Sequence, residues 1–96
     1  MFLFLLTYRV PLDQVDAHVP AHMAWLAERY ARGQLVISGR KEPRTGGVIL
    51  ASASTRAEAE SIAATDPLVT SGVAQCEVVE FLVSNAAPGM EMLKGA

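Results

Sequence analysis

The stretch Val15–Gly33, VDAHVPAHMAWLAERYARG, sets the reading of the whole chain. Val15, Val19, Leu26 and Tyr30 fall at helical spacing and build one apolar face. Met23 lies on one margin of that face. His22 lies on the other, with His18, Trp25 and Arg29 just beyond it. At about 100° per residue, His18, His22 and Trp25 share one flank, at the boundary between core and solvent. Gly33 ends the helix, because it accepts a left-handed backbone at little cost. Pro20 either kinks the helix or opens its main part after a separate first turn.

Outward from this helix the chain alternates. Phe2–Arg9 reads as a strand with both faces apolar: Phe2, Phe4, Leu6 and Tyr8 on one, Leu3 and Leu5 on the other. A strand of that kind is covered on both sides. Asp13 or Asp16 is placed to cap the first helix. Leu35–Arg40 is a second strand, Glu42–Gly47 (EPRTGG) a turn, and Val48–Ala53 a third strand, together a hairpin. Thr55 and Glu58 form a capping box for an alanine-rich helix running to about Ala64. Asp66-Pro67 stops that helix and is placed to cap another turn. Gln75–Val83 is the last strand, again apolar on both faces.

The order βαββαβ is the ferredoxin-like α+β arrangement, one antiparallel sheet with two helices on one face. Two helices cover one side of such a sheet, so the other side is expected to meet a second copy of the chain. Residues 1–84 form the domain, and residues 85–96 a tail that is a loose end or a strap across a partner.

Composition narrows the function classes. A hydrophobic fraction of 51 % is high for a 96-residue domain and agrees with apolar surface buried against another subunit. A net charge of −2 gives no reason to expect nucleic acid or an anionic membrane. Phe2–Tyr8 is too short to span a bilayer and lacks the flanks of a signal peptide. Cys76 is the only cysteine, so no internal disulfide forms, and a cytoplasmic location is expected. On its strand Cys76 reads as a small buried hydrophobe. The Gly46-Gly47 pair reads as hairpin chemistry rather than a phosphate loop.

These residues resemble the YCII-related family. The matching motifs are Pro20-Ala21-His22 with Leu26 four residues on, Gly33 with Leu35, Ser38-Gly39, and Thr45-Gly46-Gly47. Asp66-Pro67-Leu68-Val69 and Ser71-Gly72-Val73 complete the set. The resemblance covers about residues 1–83 and implies a ferredoxin-like dimer related to muconolactone isomerase. It also implies an active site around the helix histidine and the aspartate of the Asp-Pro motif, here His22 and Asp66. The few members with an assigned reaction eliminate or isomerise oxygenated ring compounds. Three departures stand out. Val19 occupies a position where many relatives carry Arg, Arg40 stands where many have Pro, and Leu68 replaces an aromatic.

An imidazole titrates near neutrality, so His22 is the candidate general acid/base, with Asp66 fixing its tautomer. Arg40 is the candidate holder of a substrate anion, through its planar fork. Ser38 is a candidate hydrogen-bond donor, and His18 and Trp25 are candidate pocket residues. His18 and His22 stand four apart, a metal-binding spacing, but only Asp66 or Glu28 offers a third ligand. No metal and no cofactor are therefore expected. The expected function is a small dimeric lyase or isomerase acting on an oxygenated cyclic or dicarbonyl metabolite. The alternatives are a non-catalytic dimeric module that binds a small ligand or partner, and cofactor-independent, monooxygenase-like chemistry.

Overall fold

The computed structural model describes Met1–Ala96. Its strands are β1 (Phe2–Tyr8), β2 (Leu35–Arg40), β3 (Gly46–Ala51) and β4 (Ala74–Glu80). Its helices are α1 (Leu12–Asp16), α2 (Val19–Ala31), α3 (Arg56–Ala64) and the single turn α4 (Pro67–Thr70). The strands form one antiparallel sheet in the order β2-β3-β1-β4. This is the ferredoxin-like fold: each outer strand lies one strand away from the strand that its helix connects it to.

The alternation in β1 decides the layers. Phe2, Phe4 and Leu6 point to the helices and are buried, with Ile49 and Ala51 of β3 beside them. Val15, Trp25, Leu26, Ala59, Ile62 and Leu68 close the core from the helical side. On the opposite face, Leu3, Leu5, Val48, Leu50, Val79 and Ile37 have no helix above them. Ile37 is 64 % exposed.

Pro20 does not kink a continuous helix. The chain makes the separate turn α1, and α2 then starts with Pro20 in its first turn, where no intrahelical donor is lost. The other end of α2 follows from Gly33 at φ 73°. Gly33 N–H donates to the Tyr30 carbonyl at 3.0 Å, and Gln34 N–H reaches back to the Arg29 carbonyl at 3.0 Å. These two bonds are the Schellman pattern, which satisfies carbonyls the helix end would leave open. Thr55 caps α3 by accepting from Glu58 N–H, while the Glu58 carboxylate accepts from Ser54 N–H.

Three local expectations shift. Neither Asp13 nor Asp16 caps α1. Pro11 stands at that cap, and Asp16 is engaged elsewhere. Strand β4 stops at Glu80, short of the expected Val83; beyond it Phe81 N–H donates to the Met1 carbonyl, and Val83 bonds the returning tail at Gly95 and Ala96. The Gly46-Gly47 pair is not a turn. It opens β3, whose residues pair with Thr7 and Leu6 of β1. A Cβ on Gly46 would lie 1.8 Å from the Leu6 carbonyl oxygen, so only glycine lets the two strands close at that point.

Candidate active site

The site is built where α2 crosses the end of the sheet. Asp66 follows the last residues of α3 and is the N-cap of α4; its Oδ1 accepts from Leu68 N–H at 3.0 Å. The same oxygen meets Nδ1 of His22 at 2.8 Å. Asp66 is 2 % exposed. A carboxylate only accepts hydrogen bonds, so this contact places the ring proton on Nδ1 and leaves the Nε2 lone pair for a ligand. Nε2 makes no hydrogen bond to the protein. Asp66 Oδ2 is buried without a partner, so the carboxylate commits one oxygen to two donors and holds the other dry.

The ring is fixed from a second direction. Trp25, one turn further along α2, stacks on His22 with ring centroids 5.9 Å apart and planes 22° from parallel. Its indole N–H donates to Thr65 Oγ1 at 2.8 Å. Thr65 also accepts from Arg29 Nη2 at 3.1 Å and donates to the Ile62 carbonyl at 2.7 Å. Thr65 directly precedes Asp66. The indole therefore ties the histidine to the backbone that presents its aspartate, the kind of supporting contact that narrows a side chain's freedom.

Beside His22 lies a cavity of about 370 Å³, within the usual range for small-molecule sites. Val19, His22, Met23 and Leu26 of α2 and Leu68 of α4 form one wall. Leu6 and Tyr8 of β1, Ile49 of β3, and Ser38 and Arg40 of β2 form the other, with Arg44 from the β2–β3 hairpin at the rim. Gly39 and Gly47 keep the floor low; a Cβ on Gly47 would come 3.2 Å from the Gly39 carbonyl oxygen. A wider hollow of about 750 Å³ beside Met1 and Ala96 contains Arg56 and Glu80 but no histidine.

The structure brings His22, Ser38 and Arg40 to one cavity, with Asp66 bonded to His22. Ser38 Oγ is hydrogen-bonded to the Tyr30 hydroxyl at 2.7 Å. Trp25 is buried against His22 and Thr65 and is not among the cavity walls, and neither is His18 at the N-cap of α2. No three His, Cys, Asp or Glu side chains converge to hold a metal. Cys76 points to the helical side of the sheet, where burial and then the nearby Asp66 charge push its thiol up to about 11. No helix is long and apolar enough to cross a membrane.

Arg44 is the charged cavity residue that the sequence did not single out. It sits inside a segment legible only as a turn, where no periodicity assigns a direction to a side chain. The signal lay in its neighbours: the Gly46-Gly47 pair two residues on opens the strand that lines the cavity.

Among solved structures, the fold is similar to that of 5-chloro-2-hydroxyhydroquinone dehydrochlorinase from Burkholderia phenoliruptrix, determined in complex with 2,5-dihydroxybenzoquinone. The TM-score is 0.73 at 22 % identity, over 85 % of this chain and 93 % of that one. No functionally curated protein matches the chain. The YCII-related domain model matches residues 1–82, nearly all of the sheet and helices described above. The chain is a member of the YCII-related domain family.

Proposed function

We propose that this chain is a small enzyme in which His22, oriented by Asp66, moves a proton on an oxygenated cyclic or dicarbonyl small molecule. The observation that carries the reading is the 2.8 Å contact between His22 Nδ1 and a buried carboxylate, at the wall of a cavity of ligand size. With its proton on Nδ1, the ring offers Nε2 as a base. It abstracts a proton from a carbon next to a carbonyl, and the Asp66 charge stabilises the imidazolium that results. Return of that proton to a different carbon completes an isomerisation. If a leaving group departs with its bonding pair instead, the C–H electrons form the new double bond and the reaction is an elimination. Ser38 and Arg40 stand on the opposite wall to meet the substrate oxygens. The dehydrochlorinase of similar fold carries out an elimination by its name, and its bound ligand is an oxygenated ring; both agree with this reading.

The test is hydrogen–deuterium exchange at carbon. A panel of hydroxylated quinones and cyclic diketones is incubated with the protein in D2O, and ring C–H signals are followed by proton nuclear resonance. His22→Gln is expected to slow catalysed exchange by about 100-fold or more. Exchange at the wild-type rate in that variant would remove His22 from the chemistry. No exchange with any member of the panel would favour a ligand-binding module.

The working unit we propose is a dimer. Leu3, Leu5, Ile37, Val48, Leu50 and Val79 form an apolar sheet face that no element of the chain covers. A second copy seated there would remove it from water, at roughly 25 cal/mol per Å² of apolar area. Sedimentation tests this: a 10.3 kDa particle at micromolar concentration would contradict it.

A further inference from the structure

We infer that Arg44 sets the ligand class of the cavity: the site takes a small ring bearing an ionised oxygen, and Arg44, more than Arg40, holds that oxygen. This rests on the reading of the cavity beside His22 as the substrate site.

Two guanidinium groups reach the cavity, and their surroundings differ. Arg40 is 68 % exposed, and its Nε donates to Glu42 at 3.1 Å, so water screens it and a neighbour on the same hairpin offsets its charge. Arg44 is 29 % exposed. Three features fix it. One terminal nitrogen donates to Asp16 of α1. The guanidinium carbon lies 6.0 Å from the centroid of the Tyr8 ring, in cation–π range. Tyr8 N–H donates to the Thr45 carbonyl at 2.9 Å, which pins the hairpin next to Arg44 onto β1.

Asp16 and the nearby Tyr8 hydroxyl engage part of the fork, and its remaining N–H donors stay open to a ligand oxygen. Asp16 also holds the guanidinium more firmly charged than usual. A planar fork already held in place loses little freedom on binding, and a charge-assisted bond made by it is among the stronger ones. The sign of the site agrees. Its walls carry two arginines, one histidine and no acidic side chain. Three carboxylates behind the walls bond wall residues: Glu42 holds Arg40, Asp16 holds one terminal nitrogen of Arg44, and Asp66 is buried and committed to His22 and Leu68. None of these carboxylates lines the cavity, so an anionic ring oxygen meets the remaining edge of the Arg44 fork without an acidic side chain beside it.

The test compares two quinones by titration calorimetry. One is 2,5-dihydroxybenzoquinone, whose acidic hydroxyls are ionised at neutral pH. The other is its neutral dimethyl ether, 2,5-dimethoxybenzoquinone. Wild type is expected to bind the anion at least about tenfold more tightly than the ether. Arg44→Gln is expected to lose about tenfold on the anion and little on the ether, with Arg44→Lys in between. Arg40→Gln is expected to lose less than Arg44→Gln. Arg32→Gln, on the far end of α2, controls for net charge.

The inference is overturned if Arg44→Gln binds the anion as wild type does, or if both ligands weaken equally. It is also overturned if Arg40→Gln is the larger loss, or if wild type shows no preference for the anion. Melting curves establish folding, and Arg44→Lys carries the same contrast should the glutamine variant unfold. His22→Gln separates the two readings. Charge preference that survives while exchange at carbon is unaffected by this variant keeps the Arg44 assignment and refutes the proton-transfer role.

Discussion

Replacing Asp66 by alanine tests the site and the fold together. Its Oδ1 receives two donors, His22 Nδ1 at 2.8 Å and Leu68 N–H at 3.0 Å. Removing it leaves the first turn of α4 uncapped, a loss of about 1 kcal/mol. It also removes a hydrogen bond to a charged group, worth about 1.5–3 kcal/mol. The expected loss is therefore about 2.5–4 kcal/mol, a large share of the roughly 5–15 kcal/mol that stabilises a domain. His22→Ala removes only the second of these contributions but strands the carboxylate in a nearly dry site. Once Asp66 is gone, removing His22 has little left to break. A double-mutant cycle on the four proteins should thus give a coupling of about 1.5–3 kcal/mol. Urea unfolding at one pH and one protein concentration supplies the four values. Nitrogen-15 spectra of the ring give an independent readout: the proton should sit on Nδ1 in wild type and lose that preference in Asp66→Ala. A coupling below about 0.5 kcal/mol, the range of independent sites, would refute the argument that this bond organises the site.

Other outcomes follow from single contacts. Gly46→Ala puts a Cβ 1.8 Å from the Leu6 carbonyl oxygen, backbone against backbone; a loss of about 3 kcal/mol or more is expected in the same unfolding assay. The raised thiol of Cys76, about 11, keeps it protonated at neutral pH, and its stability contribution is present below the unfolded value and lost as pH rises past 11. Alkylation by iodoacetamide at pH 8 should run about 100-fold slower than for a free thiol and climb until about pH 11; a plateau near pH 9 would contradict this. Ile37→Lys, at the open sheet face, should shift sedimentation toward the monomer and leave the far-ultraviolet dichroism unchanged. Trp25→Phe keeps an aromatic against His22 but loses the bond to Thr65, and should lower stability by about 1 kcal/mol.

Much of the architecture was legible one residue at a time. The doubly apolar run of Phe2–Tyr8 named a strand covered on both faces, though not which face meets the helices. Thr55 with Glu58, Asp66 with Pro67, and Gly33 each announced a helix end, because capping is a matter of a few neighbouring backbone groups. Those local signals gave the element order, and the order gave the sheet. They failed where a residue answers to a distant one. Gly46 looked like a turn residue because glycine suits turns; its reason is the Leu6 carbonyl, forty residues earlier in the chain. Asp16 looked like a helix cap, yet it serves Arg44.

By itself, then, the sequence determined the periodicities and caps, hence the ferredoxin-like layering and the placing of His22 on a half-buried helix flank. Only the tertiary structure decided that Asp66 turns back from α4 to meet that ring. It also decided that Trp25 packs on the ring instead of lining the cavity, and that Arg44 reaches the rim from a turn. The physical reason is range. Backbone hydrogen bonding and hydrophobic periodicity act over a few residues and leave a trace in every window of sequence. A site is made of side chains from separate elements that long-range packing brings together, and no short window contains all of them.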